Sequence, residues 1–126
     1  MRILLDTHVL LWWLDDNPSL PAQAREIIRE PGNTVFVSAV SYWEIWLKQS
    51  LGKLRLAPDF MDRLTGESFE NLPLQAAQTR QVSLLPWHHR DPFDRMLVAQ
   101  AQVEKLVLLT ADRALAAYGA AVHLAV

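Results

Sequence analysis

The stretch MRILLDTHVLLWWL, residues 1–14, carries the pattern that decides the predicted fold class. Ile3-Leu4-Leu5 is a short, unbroken apolar run, typical of a strand that is buried on both faces of a sheet. The run ends at the carboxylate of Asp6, and the apolar segment that follows predicts a short helix over 7–14. Burying a carboxylate directly after a strand costs free energy unless its charge is compensated. We therefore expect Asp6 to bind a group that compensates this charge.

Length and composition describe an ordinary globular chain. Its 126 residues fit one domain, residues 1–126, and 51% of them are hydrophobic. The net charge of −2 argues against nucleic-acid binding through overall positive charge. It is compatible with a local cluster of basic residues around a site. The chain has no cysteine, which excludes disulfides and thiolate metal sites.

The expected location is the cytoplasm. No apolar run approaches the roughly 20 residues that a membrane span requires. The N-terminal apolar segment does not have a signal-peptide layout, because Asp6 and His8 interrupt it.

Strand and helix patterns alternate along the whole chain. The predicted strands are 2–5, 34–37, 69–72, 106–109 and 121–124. The predicted helices are 7–14, 20–30 (capped by Ser19), one from Ser38 or Ser41 to about 51, 58–65, 75–84, 92–105 and 112–118. This alternation predicts an α/β fold of three layers, with a central, mainly parallel sheet flanked by helices.

Several polar residues follow the predicted strands. Asp6, Ser38 and the pair Thr110 and Asp112 come after three different strands, and the carboxyl ends of parallel strands are where sites gather. Two more acids, Glu44 and Asp94, stand near helix starts. Together these residues include a set of acids that could converge.

Glu44 has two interpretations. Its neighbours on the helix face are Val40, Leu47, Lys48 and Leu51, a mostly apolar set that would turn the carboxylate toward the body of the protein. Alternatively, Ser41 and Glu44 form a capping box, and Glu44 pairs with Lys48 four residues on.

The other acids also have structural alternatives. Asp91 fits the N-cap of the helix that begins at Pro92, and Asp94 then complements the helix dipole, although its helical neighbours are apolar. Asp112 can cap the helix after it, as can Thr110. Asp91 itself is an open case, since it lies three residues before Asp94 and could join the site.

Four converging carboxylates would repel one another, and a divalent cation would relieve the repulsion. Mg²⁺ and Mn²⁺ prefer oxygen ligands, and such an ion can bind a phosphate oxygen and activate water. A zinc site is not expected, because cysteine is absent and His88 and His89 lack the spacing of ligands on a helix.

Four segments of the chain resemble those of the PIN-domain ribonucleases, and specifically the toxins of VapBC-type toxin–antitoxin pairs. The segments are LLDTHVLLW at 4–12, VSAVSYWEIWLKQSLGKL at 37–54, HHRDPFDRMLVAQA at 88–101 and LLTADRAL at 108–115. They occur in the family's order and cover nearly the whole chain. Each segment alone is weakly diagnostic, but the set is highly specific.

The resemblance implies a function and a set of partners. The family's acids correspond to Asp6, Glu44, Asp94 and Asp112 here. The resemblance implies that the protein hydrolyses RNA phosphodiesters in a reaction that depends on Mg²⁺ or Mn²⁺ and leaves 5′-phosphate and 3′-hydroxyl ends. It also implies a homodimer, inhibited by a VapB-type antitoxin whose C-terminal segment covers the site, or a larger toxin–antitoxin assembly. Asp6 and Asp94 are expected to be the main metal ligands.

Other protein classes fit less well. A phosphatase of the haloacid-dehalogenase type needs a second acid two residues after Asp6, where this chain has His8. A receiver domain needs an Asp after a middle strand, where this chain has Ser38. The remaining alternative is a non-catalytic interaction module whose acids are helix caps.

Basic and aromatic residues near the acids suggest contacts with substrate and partner. The basic residues flanking the acids in sequence are expected either to contact phosphates or to form a solvated rim: Lys48, Arg90, Arg95 and Arg113. Burial is the default for a tryptophan, but Trp12 and Trp13 are adjacent on a helix, about 100° apart, and cannot face the same way. We therefore expect part of the surface of Trp12, Trp13, Trp43 and Trp46 to line a groove, filled by apolar antitoxin side chains.

Overall fold

Five parallel strands form a single sheet in the computed structural model, which describes residues 1–126. The strands are β1 (Arg2–Leu5), β2 (Thr34–Ser38), β3 (Glu70–Leu72), β4 (Val107–Thr110) and β5 (Val122–Leu124). Their order across the sheet is β3-β2-β1-β4-β5, and each neighbouring pair is parallel. The first strand of the chain therefore lies at the centre, and Asp6 follows it at the middle of the carboxyl edge.

Helices cover both faces of the sheet. They are α1 (Thr7–Leu14), α2 (Ala22–Arg29), α3 (Ala39–Ser50), α4 (Phe60–Thr65), α5 (Ala76–Ser83) and α6 (Pro92–Glu104), followed by a 3₁₀ segment (Arg113–Ala121). None of them has the length and apolar character that crossing a membrane requires. The three-layer α/β fold expected from the sequence is confirmed.

The central strand supplies apolar side chains to both faces. Ile3 and Leu5 pack into one fully apolar cluster, which includes residues of α1, α2 and α4, and Leu4 packs into the other, built mainly on α6. The strand has no alternation of polar and apolar residues because both faces of the sheet are covered by helices at this point.

The structure differs from two local predictions in detail. Ser19 does not cap α2, which begins at Ala22 with Pro21 at the N-cap; the backbone N–H of Ser19 instead donates to the side chain of Asn17 in the preceding turn. The segment predicted as a helix over 112–118 is a 3₁₀ segment that reaches Ala121. It is interrupted at Gly119, whose φ of 87° is a backbone conformation that glycine adopts without steric cost.

Candidate functional site

Asp6 is fixed at the junction of β1 and α1. One carboxylate oxygen accepts a hydrogen bond from the backbone N–H of His8 at 2.8 Å, which caps α1. The other accepts one from the hydroxyl of Thr110, at the end of β4, at 2.5 Å. The residue is 3% exposed, and burial raises its pKa, although both hydrogen bonds favour the ionised form. Asp6 is thus a buried acid held in one orientation by the first turn of α1 and the end of β4.

Three of the four predicted acids line one cleft. Asp6, Asp94 and Asp112 face a cavity of about 290 Å³ together with His8, Trp12 and Ala111. Asp94 reaches it from the first turn of α6, where its backbone N–H donates to the carboxylate of Asp91 at 3.0 Å. Asp91 is therefore the N-cap that the sequence suggested, and its side chain does not line this cleft.

Asp94 has a strongly perturbed proton affinity. Burial, and after it the charges of Asp6, Asp91 and Glu44, raises the pKa of its carboxyl to about 7, while His89 opposes the shift. The raised pKa reflects a carboxyl that is withdrawn from water first and surrounded by like charges second.

Asp112 acts both as a cap and as a wall of the cleft. Its Oδ1 accepts from the backbone N–H of Ala114 at 3.0 Å, as the structural alternative predicted. Its Oδ2 lies 3.1 Å from Nε2 of His89. The two interpretations of this residue are therefore compatible, and the cap orients a carboxylate that also faces the cleft.

Glu44 lies in a pocket that adjoins the cleft through His8, which lines both. The residue is 3% exposed; its Oε2 accepts from the ammonium of Lys48, and its Oε1 is buried without a hydrogen-bond partner. The predicted pair with Lys48 is present, but the capping box is not: Ser38 caps α3, and Ser41 instead accepts from the hydroxyl of Thr7.

The donor set fits a hard divalent cation. The carboxylates that line the cleft supply oxygen ligands, the kind that Mg²⁺ and Mn²⁺ prefer. The unpartnered Oε1 of Glu44 is a buried acceptor that lacks a donor, and Asp94 lies partly buried among the like charges of Asp6, Asp91 and Glu44. The carboxylates of Asp94 and Asp112 come close enough to share an ion, since each has an oxygen within 4.8 Å of the other and of the His89 ring beside them.

Two further residues near the acids were not predicted from the sequence. His89 was considered only as a zinc ligand, yet its ring lies beside Asp112 and 3.6 Å from Oδ2 of Asp94. The signal was its place two residues before the N-cap Asp91, which ties its loop to the start of α6. Lys53, after α3, lines the pocket of Glu44 with Lys48 and adds positive charge there.

The basic residues proposed for substrate contact are not equivalent. Arg90 and Arg113 are exposed and form no ion pair, and Lys48 is held by Glu44. Arg95 does not fit that prediction, because it is only 4% exposed and its guanidinium donates to the carbonyl oxygens of Val82, Leu85 and Pro86 and to the hydroxyl of Tyr118. Both terminal nitrogens of the guanidinium are thus engaged within the protein, and its carbon lies 3.8 Å from the centroid of the Trp87 ring, so the side chain has a structural role.

The tryptophans contact different surroundings, as expected for the adjacent Trp12 and Trp13, while Trp43 and Trp46, whose spacing predicted a shared face, pack against different aromatic residues. Trp12 lines the acidic cleft, whereas the indole N–H of Trp13 donates to Glu67 at 2.8 Å. Trp43 is 59% exposed and packs edge-on against Phe93, beside Asp94 in sequence. Trp46 is 39% exposed and lines a separate groove of about 470 Å³ between α3 and α4.

Comparisons with known proteins agree on the fold. The sequence model of the PIN domain family matches residues 3–121. A search of the curated proteins found no match. Among solved structures, VapBC2 from Rickettsia felis, bound to a DNA fragment from its promoter, is 15% identical with a TM-score of 0.67, and 89% of each chain is covered.

Two further structures are similar at comparable levels. A toxin–antitoxin complex from Klebsiella pneumoniae is 18% identical with a TM-score of 0.64, covering 96% of this chain and 95% of that one. VapBC-5 from Mycobacterium tuberculosis is 23% identical with a TM-score of 0.61, covering 98% and 97%. At these identities the likeness establishes the shared fold.

Proposed function

Because the chain belongs to the PIN domain family, we propose that it is a metal-dependent ribonuclease and the toxin of a toxin–antitoxin pair. The observation that carries the proposal is the meeting of Asp6, Asp94 and Asp112 in one cleft, with the unpartnered oxygen of Glu44 in the adjoining pocket. Solved structures of the same fold described as toxin–antitoxin complexes support the biological role.

Asp6 and Asp94 are the proposed main ligands of a Mg²⁺ or Mn²⁺ ion, directly or through water, with Glu44 and Asp112 assisting. When bound, the ion would supply Lewis-acid chemistry for phosphodiester hydrolysis. Thr110 and the backbone N–H of His8 hold the Asp6 carboxylate in place for this task. With a pKa of about 7, Asp94 is readily deprotonated when a cation arrives.

In the proposed reaction, water adds to phosphorus and the bond from phosphorus to the 3′-oxygen breaks. The leaving oxygen takes a proton, which gives a 3′-hydroxyl and a 5′-phosphate. The exposed Arg90 and Arg113, together with Lys48, are proposed to contact phosphates of single-stranded RNA at the rim. Their positive charge would offset the negative charge of the carboxylates at the opening of the cleft.

A non-catalytic module whose acids are helix caps accounts for only part of the site. It explains the hydrogen bonds of Asp6, Asp91 and Asp112 to backbone N–H groups. It gives no reason for the unpartnered oxygen of Glu44 or for the burial of Asp94 among like charges. A cation-binding site gives a reason for both.

Cleavage of RNA by the purified chain tests the proposal. We expect cleavage with Mg²⁺ or Mn²⁺ and none with EDTA, and Asp6→Asn should lower the rate by at least about 100-fold, since even partners of metal ligands are worth about 10- to 100-fold. The fold should survive, because asparagine can still accept the N–H of His8. Glu26→Gln, an exposed charge loss on α2, is the matched control. Wild-type turnover in both Asp6→Asn and Asp94→Asn would refute the assignment.

The proposed partner is a small antitoxin. The groove between α3 and α4 is lined by apolar and aromatic side chains suited to an apolar segment of such a protein: Tyr42, Trp46, Met61, Leu64 and Phe69. Trp12 gives a second aromatic contact at the cleft itself, where the antitoxin's C-terminal segment would cover the acids. A homodimer, alone or within a larger toxin–antitoxin assembly, is part of the same proposal.

A further inference from the structure

The loop between α5 and α6 places the ring of His89 between the backbone of Asp91 and the acidic cleft. Its Nδ1 accepts a hydrogen bond from the backbone N–H of Asp91 at 3.0 Å. Its Nε2 lies 3.1 Å from Oδ2 of Asp112 and 3.6 Å from Oδ2 of Asp94. Both ring nitrogens therefore have a defined neighbour.

We propose that His89 is held as the Nε2–H tautomer and is a positioning residue that orients Asp112 for the metal, without binding the metal itself. A backbone N–H can only donate, so Nδ1 must be unprotonated, and the neutral ring then carries its proton on Nε2. That proton points at Asp112, which makes the contact a hydrogen bond. Rotating the ring by half a turn would set carbon atoms against both partners and lose both bonds.

The donor from His89 completes the support of Asp112. The Oδ1 of Asp112 is held by the backbone N–H of Ala114, and Oδ2 is held by His89, so the carboxylate cannot turn freely. A ligand carboxylate that is itself hydrogen-bonded is the usual arrangement at metal sites. This consequence rests on the proposed function, but the tautomer assignment does not.

A buried network fixes the loop that carries His89. The backbone N–H of His89 donates to the hydroxyl of Tyr118 at 3.2 Å, and this hydroxyl donates to the carbonyl of Pro86 at 2.8 Å. Arg95 donates to both Pro86 and Tyr118, at 2.9 and 3.0 Å. The contacts of Arg95 therefore stabilise the loop conformation that orients the ring of His89.

Two substitutions separate the donor from the rest of the ring. Gln brings an amide N–H to the position of Nε2, whereas Asn reaches only the position of Nδ1 and can still accept from Asp91. His89→Asn should weaken Mn²⁺ binding, measured by calorimetry without RNA, roughly 10- to 100-fold, and His89→Gln should restore most of the loss. Glu26→Gln, at an exposed position on α2, is the control and should not change binding.

The tautomer can be measured directly on the metal-free wild-type protein. A long-range ¹H–¹⁵N correlation spectrum at about pH 8, above the ordinary pKa of histidine, should show the proton of His89 on Nε2. A proton on Nδ1 would overturn the proposal whether or not the protein cleaves RNA, and even if His89→Asn failed to fold. Equal losses in the Asn and Gln variants, or no loss in either, would also overturn it. Absence of Mn²⁺ binding by the wild type would instead refute the proposed function, and the spectrum would still decide the tautomer.

Discussion

Asp94 combines a position that favours a carboxylate with surroundings that oppose its ionisation. The first turn of α6 stabilises negative charge through the helix dipole. Burial and the nearby acids nevertheless raise its pKa from 3.8 to about 7. Because this pKa is raised on folding, the associated stability is present below about pH 4 and is lost as the pH rises toward 7 in the metal-free protein.

We therefore expect Asp94→Asn to stabilise the metal-free protein at about pH 8. The gain should be about 1–2 kcal/mol after allowance for solvent screening, or several degrees in Tm. It should shrink toward pH 5, where the wild-type carboxyl is protonated. Thermal unfolding in EDTA at the two pH values measures it, and a variant less stable than wild type at pH 8 would contradict it. Glu26→Gln controls for the change in net charge.

The residue that the sequence identified most directly is Asp6, because an acid after an unbroken apolar strand is visible in the sequence itself. His89 could not be identified in this way. Its role depends on the path of an irregular loop and on which ring nitrogen meets a backbone N–H, and hydrophobic periodicity reports neither. The same limit applies to Arg95, whose acceptors are mostly carbonyl oxygens of that loop.

At the scale of elements, apolar runs and turn signals predicted the helices and strands well, while the burial of helix faces was less predictable. The apolar neighbours of Glu44 on its helix face, which include Val40 and Leu51, were expected to place that carboxylate toward the body of the protein. Val40 is buried, but Leu51, just past the end of α3, is 59% exposed. Only the N-terminal part of α3 packs on the sheet, and whether the rest of a stripe is covered depends on neighbours that the pattern does not specify.

Arg95 joins α6 to the loop after α5, and we expect Arg95→Lys to loosen this contact. An ammonium cannot reproduce the planar fork that reaches several carbonyl oxygens at once. Buried acceptors left without a donor should cost about 2–3 kcal/mol, measured by denaturant unfolding. Arg90→Lys, at an exposed site, is the control. Weaker RNA binding with unchanged stability would instead restore Arg95 as a substrate contact.

At the scale of the molecule, strand order explains where the site forms. The chain passes from β1 to β2 on one side of the sheet, and β4 lies on the other side of β1. The crevice between β1 and β4 is thus a topological switch point, where ligands of open α/β sheets bind. It brings Thr110 to Asp6 across 104 residues of sequence. Strand patterns alone do not give this order, so the convergence of the acids was expected chiefly from the family resemblance.

The groove between α3 and α4 lies apart from that crevice and shares no lining residue with it. Trp46 lines the groove and packs edge-on against Phe60 at 6.0 Å between ring centroids. If the antitoxin binds here, Trp46 is an anchor of the kind that dominates interface energies. We expect Trp46→Ala to weaken antitoxin binding by about 2 kcal/mol, roughly 30-fold in Kd.

Trp13 provides the comparison, because its half-buried indole does not line that groove, although Glu67, to which it donates, does. Trp13→Ala should lower the free energy of unfolding by about 3 kcal/mol and leave antitoxin affinity unchanged in the folded fraction. Calorimetric titration of both variants with the antitoxin, alongside thermal unfolding of each free toxin, separates the two effects. Unchanged affinity in Trp46→Ala, or its unfolding without any selective loss of binding, would show that Trp46 serves the core and that the antitoxin binds elsewhere.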